Sequence, residues 1–161
     1  MELLVGGGVL LGLLIVVGVF VLLAAILLVV PKVVMARMAP GLQRRIDAAY
    51  TPEQIVFEDL QAVTLGLQSR GVFQGRGNGA LVLTADELAW FRFIPESTDL
   101  RIPRQSITKV DTVKSHLGKT YGRDLLRVSF DNNGEPDSIA WYVADLGAWL
   151  TRLTTPSTAT G

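Results

Sequence analysis

Four side chains that carry or can acquire positive charge, Lys114, His116, Lys119 and Arg123, stand within ten residues of one another, interleaved with Gly118 and Gly122. Cations beside backbone N–H groups exposed by glycine are suited to gripping an anion, either a lipid headgroup or an acidic segment of a partner. The plainer reading of such a run is a solvated inter-strand loop, and it is the favoured one. Gly118, Lys119 and Thr120 match the end of a phosphate-binding P-loop. That motif requires glycine at position 113, which is Val, and a helix afterwards, where Tyr121, Gly122 and Arg123 lead into a strand.

Other chemistry is poorly supplied. With one histidine and no cysteine, the chain lacks the soft and imidazole ligands that a zinc-type site uses. His116 has no Gly-x-Ser-x-Gly elbow to serve. Gly75, Gly77 and Gly79 are spaced by two, as in a turn or bulge rather than a dinucleotide fingerprint. The neighbouring carboxylates Glu58 and Asp59, and Asp86 and Glu87, read as solvated surface. Trp90, Trp141 and Trp149 lie on apolar strand or helix faces and read as core. The expectation is a protein that is not an enzyme and uses no metal or cofactor. Nor is it a nucleic-acid binder: fifteen Lys and Arg face fifteen Asp and Glu, without the basic surplus of such domains.

The charge is unevenly placed. Residues 3–30 hold none, and every Lys and Arg lies at Lys32 or beyond. A bilayer core about 30 Å thick needs roughly 20 apolar residues of helix, so this run spans it with length left for tilt. A cleaved signal peptide would carry basic residues before a much shorter apolar stretch. Gly8 and Gly12 stand four apart, a spacing that lets membrane helices approach closely. That allows self-association, or a contact inside a larger membrane complex. Lys32, Arg37, Arg44 and Arg45 follow the run. By the positive-inside rule they place the C-terminal domain in the cytoplasm and the N-terminus outside a cell membrane crossed once. The lack of cysteine agrees with a reducing compartment.

The expected organisation is an anchor at 1–31, a helical connector at 32–50, a domain at 51–154 and a disordered tail at 155–161. In the connector Met35, Met38, Leu42, Ile46 and Ala49 recur at helical spacing. Pro40 and Gly41 interrupt the pattern and predict two short helices. Two readings stand for it: an interfacial helix on anionic headgroups, or a solvated stalk.

Beyond Thr51 the texture is that of short strands. They are predicted at Ile55–Leu67, 79–84, 87–94, Leu100–Pro103, 107–114, 125–130 and 138–143. Leu88, Trp90 and Arg92 alternate with Ala89, Phe91 and Phe93, the period of a strand with two distinct faces. Asn133 and Gly134 form the strongest short hairpin signal in the chain. Asp145 then caps a helix whose Leu146, Trp149, Leu150 and Leu153 form one apolar stripe.

Seven strands and one C-terminal amphipathic helix resemble the pleckstrin-homology-like (PH-like) superfold, its GRAM and bacterial PH-like branches included. The residues that carry the resemblance are Gly75, Gly77 and Gly79 before Leu81, Leu83 and Thr84; then Leu88, Trp90 and Phe93; then Ile102, Pro103 and Ile107. Ser115, Gly118, Leu125, Phe130 and the Ala140–Val143 stretch are similar to those of small uncharacterised bacterial membrane proteins with the same anchor-plus-domain plan. The resemblance covers about residues 55–153. It implies a bent antiparallel seven-stranded sheet or barrel closed by the helix. It also implies a tethered adaptor that recruits a protein partner or senses anionic lipid, with Arg70 and Arg76 flanking the region where many PH-like domains bind phosphoinositides. The alternative is a structural subunit of a larger membrane complex, held through its glycine-rich helix.

Overall fold

A computed structural model describes residues 2–94 and 99–155, and the side chains of 12–29, 40–94 and 99–155. All but Thr155 of the expected tail at 155–161, the surroundings of Gly8, and the side chains of Lys32, Met35, Arg37 and Met38 lie outside that description. Two compact units are present, Met1–Pro40 and Gly41–Gly161.

The first unit is helical. Helix α1 runs Glu2–Ala49, and its stretch Gly12–Val29 is long and apolar enough to cross a membrane or to serve as a signal sequence. The side chains of that stretch are exposed, Phe20 and Leu27 among them. The helix does not break at Pro40 and Gly41 as their composition predicts. Proline removes one helical hydrogen bond and crowds the preceding turn, yet the last turns of α1 are held by packing inside the second unit.

That unit is a seven-stranded antiparallel sheet: β1 (Ile55–Leu67), β2 (Gly77–Thr84), β3 (Glu87–Arg92), β4 (Leu100–Pro103), β5 (Ile107–His116), β6 (Lys119–Asn132) and β7 (Glu135–Tyr142), followed by helix α2 (Leu146–Thr154). The spatial order is β4-β3-β2-β1-β7-β6-β5. Long β1 joins the two halves: it pairs with β2 over 55–64 and with β7 over 63–67. β4 and β5 end the order and do not pair with each other, so the sheet is open and the expected closed barrel is not formed.

Period two decides the packing. On β2 and β3, Leu81, Leu83, Leu88 and Trp90 enter one core with Leu126, Val128, Trp141, Trp149 and Leu153. The intervening Ala80, Val82, Ala89 and Phe91 enter a second core with Leu42, Ile46 and Tyr50 of the α1 end. Residues 42–50, read from sequence as a connector, are therefore part of the domain. At Gly79 an added Cβ would come within 2.1 Å of the Phe91 carbonyl oxygen and 2.9 Å of the Trp90 ring, so only glycine lets β2 and β3 approach there.

Candidate functional site

The predicted basic loop is a hairpin. β5 runs to His116 and β6 starts at Lys119, with His116 opposite Lys119 and Ser115 opposite Thr120. Leu117 and Gly118, both at positive φ (51° and 71°), make the two-residue turn, the backbone geometry that matches strand twist.

The hairpin does not gather its four cations on one anion-binding surface. His116 is buried, with Nε2 3.1 Å from the Gly66 carbonyl oxygen. Burial lowers its pKa below the usual 6.5 and outweighs the opposing bond to Gly66, so the ring is neutral at pH 7. Lys119 donates from Nζ to the Leu65 carbonyl at 3.0 Å. Both side chains dock the hairpin on β1, where Gly66 bulges at φ 120°. Lys114 pairs with the carboxylate of Asp124. Arg123 is exposed and has no partner among the described residues.

The neighbouring β1–β2 connection, residues 68–76, presents a different surface. Phe73 is fully exposed and Val72 half-exposed. Arg70 and Arg76 flank them, and the segment holds no acidic residue. Its base is well fixed. Ser69 N donates to the Asp137 carboxylate at 3.0 Å, and the Ser138 hydroxyl donates to Gln68 Oε1 at 2.6 Å. The Gln74 side chain accepts from Leu67 N at 3.0 Å and donates to the Leu67 and Gly71 carbonyls at 2.6 Å each. Arg76 donates to the Thr120 carbonyl at 2.7 Å and lies over Tyr121, 5.8 Å from the ring centroid. Tyr121 in turn stacks on Tyr142 at 4.3 Å. Loop and hairpin tip are thus fastened together, and Arg123 follows Tyr121 by two residues. The result is an apolar knob on an ordered base, flanked in the chain by Arg70 and Arg76. Sequence reasoning located Arg70 and Arg76 but missed Val72 and Phe73, because an apolar residue in a strand-rich chain is first read as core.

The concave feature behind this surface is small. A cavity of about 30 Å³, lined by Arg70, Gln74, Trp90, Arg92, Leu100 and Ile139 among others, has room for about one water molecule, whereas small-molecule pockets begin at roughly 300 Å³. A surface groove of about 520 Å³ runs beside Tyr50, Glu87 and Arg101. Those three groups are mutually bonded: the Tyr50 hydroxyl donates to Glu87, and Arg101 donates to Glu87 at 2.8 Å and to the Tyr50 oxygen at 3.0 Å. Burial first, and the Glu87 contact second, push the Tyr50 phenol well above its ordinary pKa. This cluster pins the end of α1 to β3 and β4. Among the described residues no three His, Asp or Glu side chains come together as metal ligands would.

No protein-family model matches the chain, and no curated protein matches it. Among solved structures it is similar to the C-terminal domain of an unknown protein from Leishmania infantum, at 14% identity and a TM-score of 0.44, covering 76% of this chain and 93% of that one. These comparisons assign the chain to no family.

Proposed function

We propose that this chain is a membrane-tethered PH-like binding module that meets an anionic lipid surface through the tip of its β1–β2 connection. The observation that carries the reading is Phe73, fully exposed between Arg70 and Arg76 on a loop whose base is hydrogen-bonded in place. An aromatic side chain that enters the interfacial zone, with arginines at headgroup level, is the arrangement by which peripheral surfaces hold anionic bilayers. Each basic group near such a surface contributes about 1 kcal/mol. The strand order and the C-terminal helix over one face support the PH-like fold, and the apolar stretch of α1 supports the tether. A cytoplasmic orientation, proposed from the basic residues after the span, puts the module on the anionic side of the membrane. Such contacts are individually weak, and tethering makes weak binding sufficient.

The test is co-sedimentation of the Gly41–Gly161 unit with vesicles of phosphatidylcholine alone or with added phosphatidylserine. All three apolar cores of the sheet domain lie within this unit. Binding is expected only to the anionic vesicles and should fall with salt. Phe73→Ser should abolish it, and Arg70→Gln or Arg123→Gln should weaken it, all without a change in melting temperature. Failure of the unmodified unit to bind anionic vesicles at low salt would remove the lipid reading and leave recruitment of a protein partner.

A further inference from the structure

The far end of the sheet carries a second interaction surface. β5 is a ten-residue strand that, among the described residues, pairs on one side only, with β6. Its other edge offers unpaired backbone N–H and C=O groups, a template for another strand. Edges in natural proteins are guarded by proline, by a short length, by a bulge, by a covering element or by charged side chains, lysine above all. β5 has no proline and is long, with Thr108, Lys109, Thr112 and Lys114 exposed along it; its lysines repel an indiscriminate strand, so a partner must bring carboxylates opposite them.

The charges on this edge are self-complementary. Two antiparallel copies related by a two-fold axis pair residues of like parity, because cross-strand partners share a face. Centring the axis on Val110 puts Lys109 of each copy opposite Asp111 of the other, and Thr108 opposite Thr112. Centring it on Asp111 would set two carboxylates face to face. Within one chain Asp111 already faces Arg127 across the β5–β6 ladder, accepting from its Nε at 2.8 Å and its Nη2 at 2.6 Å. Lys109 reaches the same carboxylate at 2.8 Å. In the Val110-centred register the row Arg127, Asp111, then Lys109 of the second copy alternates in sign across the joint, and the symmetric row does the same.

We infer that the β5 edge is an interface for a second copy of this chain, in antiparallel register about Val110. The regular stretch is short, since register shifts follow Ile107 and Val113. A ladder of about five residues is a weak dimer in free solution, and confining copies to one bilayer raises their effective concentration enough to populate it. This interface is separate from the β1–β2 tip, and its test does not depend on lipid binding there.

The chain contains no cysteine, so introduced thiols report without background. Full-length chains bearing Thr108→Cys and Thr112→Cys would be mixed in reconstituted liposomes and oxidised gently. The proposed register brings these positions together within disulfide reach. Each variant alone sets its own thiols four residues apart along the joint, about 13 Å at the strand rise. The expected result is disulfide-linked dimer in the mixture and little in either variant alone. Lys109→Glu in both chains, which turns two attractive contacts into repulsive ones, should cut the yield about fivefold or more. Equal yields in the mixture and the single variants would overturn the interface, and a yield indifferent to Lys109→Glu would overturn its register.

Discussion

Two helical covers close the sheet domain, α2 packing against β5 and β6 in the first core and the end of α1 against β2 and β3 in the second, and they are built by different means. α2 is a local element: Asp145 caps it, accepting from Ala148 N at 2.9 Å, and Trp149 and Leu153 make its apolar contact. The end of α1 brings Leu42, Ile46 and Tyr50 to the second core and adds polar pins. Arg45 donates to the Arg92 carbonyl at 2.8 Å and pairs with Asp99, and Tyr50 joins Glu87 and Arg101. The difference shows how orientation can be fixed. One large buried ring sets the position of α2 by shape, whereas a stripe of modest side chains relies on directional bonds at its margins to fix where the α1 end sits.

The sharpest way to break this comparison is to delete one cover. A chain starting at Thr51 loses Leu42, Ile46 and Tyr50, each worth roughly 1.5–3 kcal/mol when buried. A loss of about 5 kcal/mol or more in urea denaturation, relative to the Gly41–Gly161 unit, would leave the domain largely unfolded. Equal stability of the two fragments would show that α1 contributes no cover. Trp149→Ala, the matching attack on α2, should cost about 3–5 kcal/mol, and an unchanged midpoint would place the first core elsewhere. Two smaller substitutions weigh the local cap against the polar pins. Asp145→Ala and Tyr50→Phe should each cost about 1 kcal/mol. A Tyr50→Phe variant as stable as the parent would assign the α1 docking to apolar contact alone.

A titration sharpens the same contrast, because its source lies in neither cover. His116, packed near Lys119, Arg127 and Asp137, has its folded pKa held below 6.5. The unfolded chain therefore binds the proton first. Stability is fully present above pH 6.5 and declines as pH falls through 6.5 towards the folded value. Denaturation midpoints measured between pH 7.5 and 5 should show this decline, and His116→Gln should flatten it. Ile46→Ala and Trp149→Ala should shift the curve downward and keep its slope.

Much of this architecture was legible in the residues. The limits of β1 and β4 follow from the apolar pattern and its flanks. Asn133 and Gly134 mark the β6–β7 turn, and Asp145 with the Trp149 stripe marks α2. The hairpin at Leu117 was not legible, because leucine at positive φ is uncommon and its charged surroundings have the composition of a loop. The stripe through Leu42 and Ile46 was visible, but its destination was not: the face formed by Ala80, Val82, Ala89 and Phe91 is completed only when β2 and β3 pair. The candidate site was half-legible for a similar reason. Charge type names the arginines, whereas the burial of His116 and the docking of Lys119 on β1 depend on contacts made across some 50 residues of chain.

The position of β1 in the sheet has a consequence for the order in which the protein can be completed during synthesis. The strand is among the first parts of the domain to emerge, yet at its end Gly66 and Leu67 pair only with β7, more than 70 residues later. β1 to β4 can form a meander by local pairing, and the α1 end can settle on it. Until β7 and α2 leave the ribosome, that meander keeps an open strand edge and an uncovered Trp90 face, with long-range closure as the slow step. A message truncated before Glu135 would therefore release a chain bearing a sticky edge, the kind of species that aggregates or is cleared by proteases.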